Sequence, residues 1–210
     1  DKVAIIDGDV ALTFAEFDAL VDRVAAALHA NGLAPGDRVA LLSRNSWQYA
    51  VLAFATARAA VVLVPVNFML TGEEIAYILG HCRADAFIAA AEFVATAAEA
   101  IEVAGTAPVR VSINQDGSDS HAGWLDFDDW LHNDHPVPEP LIGDDQLLRL
   151  MYTSGTESRP KGVMHSSRSL MWQYMSTILA GSMTEKCVVS PDSTGATAAA
   201  ASSARRATTP

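Results

Sequence analysis

The chain has 210 residues, 50% hydrophobic and 19% charged, with a formal net charge of −11. That is enough apolar material for a buried core, which excludes wholesale disorder, and the acidic balance argues against a polybasic surface for nucleic acid or anionic lipid. Its two cysteines, Cys82 and Cys187, are far apart and outside any CxxC spacing, so a reducing, cytoplasmic compartment fits better than a disulfide framework.

In chain order, Val3–Ile6 and Val10–Leu12 flank Asp7-Gly8-Asp9 and predict a hairpin. Thr13, with Glu16 three residues on, forms a capping box that opens an amphipathic helix to about Ala30, stopped by Asn31-Gly32. Pro35-Gly36 marks a turn before a short buried strand over Val39–Ser43. Asn45 can cap a helix through Arg58, after which the β-branched run "VVLVPV" suits a parallel strand covered on both faces. The apolar stretch Tyr49–Leu70 approaches the length of a membrane span, but Arg58, Pro65 and Asn67 interrupt it, so a buried helix and strand are expected instead.

A second capping box, Thr71 with Glu74, opens a helix ending near Cys82. A strand over Ala86–Ala90, a helix over Glu92–Ala104 and a strand over Val109–Ile113 follow. This alternation predicts an α/β fold whose largely parallel sheet is flanked by helices. Residues 114–146 are rich in Asp, Gly, Ser, His and Pro and read as a long surface excursion, with "WLDFDDWL" as a short amphipathic island. Its aspartates and the pair His132 and His135 have neither EF-hand nor HExxH spacing, so a solvated acidic loop with no metal is expected. Leu147–Thr153 returns to strand and Ser166–Ala180 to helix. From Pro191 onward there is no Leu, Ile, Val, Phe, Tyr or Trp, which predicts one domain over 1–190 and a disordered low-complexity tail over 191–210.

The chemistry concentrates in "LMYTSGTESRPKGVMHSSRSL", residues 150–170. Phosphate oxygens are well served by backbone N–H groups in glycine-permitted turns, by hydroxyl donors and by a lysine as point charge. Gly155 and Gly162 supply the first, Thr153, Ser154, Thr156 and Ser158 the second, and Lys161 the third; Glu157 lies among them. A Walker A loop needs Gly before its Lys and Ser or Thr after it, whereas Pro160 and Gly162 stand there.

The string "YTSGTESRPKG" resembles the phosphate-binding signature of the adenylate-forming (AMP-binding) superfamily, in its acyl-CoA synthetase branch. "LTFAEFDALVDRVAAAL" and "FATARAAVVLVPVN" resemble two further motifs of that family, with Ala60 where Gly is usual, and "LTGEEIAYIL" a helix that follows them. Ser167 stands where a His is common. The resemblance implies the N-terminal part of the adenylation fold and a two-step ligation. A carboxylate, expected from the overall resemblance to be fatty, displaces pyrophosphate from ATP·Mg²⁺ to give an acyl-adenylate, and the thiol of CoA then takes the acyl group. In that reading Lys161 stabilises leaving-group charge, while Thr153, Ser154, Gly155, Thr156, Glu157, Ser158 and Gly162 complete the nucleotide-phosphate loop. The family's adenine, ribose and catalytic-lysine segments have no counterpart here, so the expectation is a fragment inactive alone and prone to self-associate, with Cys187–Val189 as a strand lacking its neighbour. The alternative is a non-catalytic α/β module that binds nucleotide phosphates or serves as an interaction partner.

Overall fold

A computed structural model describes residues 2–106, 108–114, 121–153 and 159–181. The expectations for Cys187–Val189 and for residues 191–210 lie outside the described residues.

The chain opens with an antiparallel hairpin of β1 (Val3–Asp7) and β2 (Val10–Thr13). Thr13 then caps α1 (Phe14–Ala30): its hydroxyl accepts from the Glu16 N–H at 3.3 Å, and the Glu16 carboxylate accepts from the Thr13 N–H at 2.8 Å. Two orphan donors of the first turn are thereby satisfied. β3 (Arg38–Leu42), α2 (Trp47–Arg58), β4 (Val62–Val66), α3 (Gly72–Cys82), β5 (Ala86–Ala90), α4 (Val94–Ala104) and β6 (Val109–Ile113) then alternate as expected. Ser46 rather than Asn45 caps α2, accepting from the Tyr49 N–H at 3.2 Å, and a short 3-10 turn over Ala91–Phe93 precedes α4. Thr71 and Glu74 repeat the reciprocal capping box on α3.

Among the described residues, the main sheet has seven strands in the order β7-β6-β5-β3-β4-β8-β9, completed by β7 (Leu125–Asp126), β8 (Leu147–Thr153) and β9 (Lys161–Ser166). Every neighbouring pair is parallel except β8 with β9. The chain steps from β3 to β4 on one side and then crosses back to β5 on the other. With right-handed crossovers, that reversal sends α2 and α3 to opposite faces. The strands consequently feed two cores. Val39, Leu41, Leu63, Ala86 and Ile88 pack with α1, α2 and α5 (Phe127–Leu131), whereas Ala40, Leu42, Val64, Phe87 and Ala89 pack with α3 and α4. Burial on both faces is why these strands read as unbroken apolar runs.

Two expectations change. The segment 124–131 is part of the core: Trp124, Phe127, Trp130 and Leu131 are all buried. Phe127 and Trp130 reach the α1 face. The stretch after the glycine-rich loop is a strand, β9, which returns antiparallel to β8 before α6 (Ser167–Gly181) begins. Backbone pairing holds it in place, because Val163 is the only β-branched residue among its six.

Arg58, at the centre of the long apolar stretch, ends α2 and bridges Asp18 at 2.7 Å and Asp22 at 2.6 Å on α1. Among the described residues, no helix is long and apolar enough to cross a membrane.

Candidate phosphate-binding hairpin

β8 and β9 form the legs of a hairpin whose tip is the candidate loop. Thr153 lies directly opposite Lys161, and Tyr152 opposite Gly162. Opposed residues of an antiparallel pair project to the same face, with Cβ atoms about 4.5–5.5 Å apart. The Thr153 hydroxyl and the Lys161 ammonium therefore share one face at the mouth of the hairpin, and both are exposed. Among the described residues nothing pairs with the ammonium by hydrogen bond or ion pair. An exposed hydroxyl beside an uncommitted cation is a donor set suited to an anion. Ser154, Gly155, Thr156, Glu157 and Ser158 lie outside the described residues.

Tyr152 and Gly162 project to the opposite face, where Leu150 and Tyr152 pack against the core beneath α3. A Cβ at Gly162 would come within 2.9 Å of Leu150 Cδ1 and 3.4 Å of Tyr152 Cζ. Glycine at that position thus lets the two side chains lie over the strand. Tyr152 also meets His81 of α3, its hydroxyl 2.6 Å from His81 Nδ1. Burial, reinforced by the neighbouring Cys82 and Tyr77, pushes the Tyr152 phenol up to about 12.

Sequence reasoning did not single out Tyr77 and His81. Their one available signal was the i, i+4 spacing of two ring-bearing residues on α3, which shows a shared face but not what the face touches. Among the described residues, no group of three or more His, Cys, Asp or Glu side chains converges as a metal cage.

The family of AMP-binding enzymes matches residues 1–196 of the chain. A long-chain-fatty-acid–CoA ligase of Mycobacterium tuberculosis is 37% identical over 165 residues, covering 77% of this chain and 31% of that protein. A feruloyl-CoA synthase of an Amycolatopsis species is 36% identical over 176 residues, covering 84% of this chain and 32% of that protein. The ATP-bound structure of MatB from Rhodopseudomonas palustris superposes with a TM-score of 0.72 at 30% identity, covering 87% of this chain and 35% of that one. The chain spans about a third of the length of the curated relatives it matches. A match over residues 1–196, together with the shared sheet and helices, means that the chain belongs to the AMP-binding enzyme family.

Proposed function

We propose that this chain contributes the phosphate-handling hairpin of an ATP-dependent acid–CoA ligase. In the first step a carboxylate oxygen attacks the α-phosphorus of ATP, an acyl-adenylate forms, and pyrophosphate leaves with the electrons of the broken P–O bond. In the second, the CoA thiol attacks the acyl carbon, its proton is released, and AMP departs. The observation that carries this reading is the register that sets Thr153 opposite Lys161, which has no partner among the described residues, at the hairpin mouth. There the ammonium would stabilise charge gathering on the departing pyrophosphate, and the Thr153 hydroxyl would donate to a phosphate oxygen. Ser154, Thr156 and Ser158 would add hydroxyl donors, and Gly155 and Gly162 room for close backbone approach. The contribution is positioning and electrostatics, with no covalent role for the loop.

Relatives that match act by name on long-chain fatty, feruloyl, indoleacetic and 4-hydroxybutyric acids, and of these we favour a fatty acid. Because its co-substrates are ATP and CoA, we place the reaction in the cytoplasm.

The test is binding of magnesium ATP to the chain by titration calorimetry, with wild type and Lys161→Ala compared. A lost hydrogen bond to a charged group is worth about 1.5–3 kcal/mol, so Lys161→Ala is expected to weaken binding by roughly ten- to a hundredfold. Its melting temperature should stay unchanged, because an exposed side chain with no described partner contributes little to folding. Absence of ATP binding by the wild-type chain, or equal affinity in the variant, overturns the reading.

A further inference from the structure

β8 pairs with β4 at a single position, Leu63 with Arg149, four residues short of Thr153. Beyond that point the hairpin is held from the side by α3, through two residues one helical turn apart. His81 Nδ1 lies 2.6 Å from the Tyr152 hydroxyl, with the two rings edge to face at 5.6 Å. Tyr77 donates its hydroxyl to the Pro160 carbonyl at 3.3 Å, and the Arg159 guanidinium lies 5.5 Å from the centre of the Tyr77 ring. The Tyr77 and His81 rings lie 5.5 Å apart. Tyr152 immediately precedes Thr153, and Pro160 immediately precedes Lys161. One face of α3 therefore contacts both legs of the hairpin next to the two candidate phosphate donors.

α3 is itself fixed to the centre of the sheet. Arg38, the first residue of β3, donates to the Cys82 carbonyl at 3.0 Å and the Arg83 carbonyl at 2.6 Å. These are carbonyls at the end of the helix, where a cation also complements the helix dipole. The same arginine bridges Asp85 at 3.0 Å. A chain of direct contacts thus runs from β3 through the last turn of α3 to His81 and Tyr152, and reaches the hairpin mouth there.

We propose that Tyr77 and His81 are positioning residues for the phosphate-binding hairpin, holding its two legs so that Thr153 and Lys161 present their donors together. The inference rests on the proposed role of that hairpin. Neither residue touches the nucleotide in this account; each acts through Tyr152 or Pro160. Tyr152 has a further consequence: because its hydroxyl and the His81 ring nitrogen can exchange donor and acceptor roles, the contact survives either neutral tautomer of His81.

The experiment compares wild type with Tyr77→Phe, His81→Ala and His81→Asn, reading amide hydrogen exchange over 150–166 without ligand and the affinity for magnesium ATP. Tyr77→Phe keeps the ring and removes only the hydroxyl, and His81→Asn keeps a polar group near the position of Nδ1. Loss of one hydrogen bond should speed exchange at Thr153 and Lys161 and weaken ATP binding, each by about five- to tenfold. Exchange in α1 and β3 should not change, and His81→Asn should recover most of both effects. Unchanged exchange in Tyr77→Phe and His81→Ala overturns the clamp. Faster exchange with unchanged ATP affinity overturns the positioning role and leaves a structural contact. If wild type binds no ATP, the functional reading fails with the positioning role, whatever the exchange shows.

Discussion

Ala60 shows what a single backbone position demands. It has a φ of 56° at the end of α2, where the Val61 N–H reaches back to the Thr56 carbonyl at 2.8 Å and the Ala60 N–H to the Ala57 carbonyl at 3.1 Å. These two bonds close the helix in a Schellman motif, whose left-handed position glycine usually fills. At the end of α1 the same place is taken by Gly32, with a φ of 87°. The left-handed conformation costs an L-residue about 1–2 kcal/mol. Substituting glycine would relieve that, but it would remove a buried methyl worth about 0.8 kcal/mol. It would also add about 0.5–1 kcal/mol of unfolded-state entropy. These contributions nearly cancel. Ala60→Gly should therefore change unfolding free energy by less than about 1 kcal/mol in a urea titration, the residual of the balance between strain and freedom. Ala60→Val, β-branched at positive φ in a closed space, should cost more than about 2 kcal/mol. Equal stability of the valine variant would show that the turn relaxes and that the backbone does not dictate the residue.

Elements were legible in the sequence to the extent that their causes were local. Both capping boxes, Thr13 with Glu16 and Thr71 with Glu74, form as their spacing predicts, since each needs only four consecutive residues. The strands β3 to β6 were visible because burial on two faces leaves an unbroken apolar run. The burial of α5 was not visible. Its partner is α1, more than a hundred residues earlier, where Arg23 donates to the Leu131 carbonyl at 3.1 Å and receives the Asn133 side-chain amide on its own carbonyl at 2.9 Å. β9 was hidden for a related reason: what makes it a strand is the partner β8, not its own composition. At the candidate site, the string of small and hydroxyl residues drew attention in the sequence as candidate phosphate chemistry, whereas the contacts from Tyr77 and His81 gave no such signal, because they join residues 83 and 71 positions apart. The α5 packing has a sharp consequence. Trp130 is 3% exposed, and truncating a buried tryptophan to alanine costs about 3–5 kcal/mol. On a solvated loop the same change would stay within about 0.5 kcal/mol. Thermal or urea unfolding of Trp130→Ala separates the two, and a small loss would return this segment to the surface.

At the scale of the whole molecule, the core on the α3 and α4 face meets the hairpin where Cys82 and Tyr152 lie, and that junction makes the fold sensitive to alkali. Burial pushes the Cys82 thiol up to about 11 from an ordinary 9.0, against partial relief from Arg38. The Tyr152 phenol is pushed up to about 12 from 10.0, by burial first and then by the neighbouring Cys82 and Tyr77. Both groups are acids that the fold holds in the neutral form and that the unfolded chain ionises more readily. Their contribution to stability is therefore complete below pH 9. It declines as pH rises from 9 through 11 for Cys82, and from 10 through 12 for Tyr152. Burial likewise raises the Tyr49 phenol, which adds to the upper part of the same decline. The chain already carries a net charge of −11, so each further anion also adds repulsion to the compact state. Unfolding free energies measured between pH 8 and pH 12 should fall throughout the interval above 9. Cys82→Ala should flatten the first part of the fall and Tyr152→Phe the later part, whatever each costs at pH 8. The slope against pH is the informative quantity, because it counts protons bound by the unfolded chain relative to the folded one and is insensitive to packing lost equally at every pH. A slope that neither substitution changes would mean that both groups ionise in the folded protein as freely as in the unfolded chain. The junction between α3 and β8 would then have to be open to water, and the contact between His81 and Tyr152 could not hold the hairpin in register with the helix.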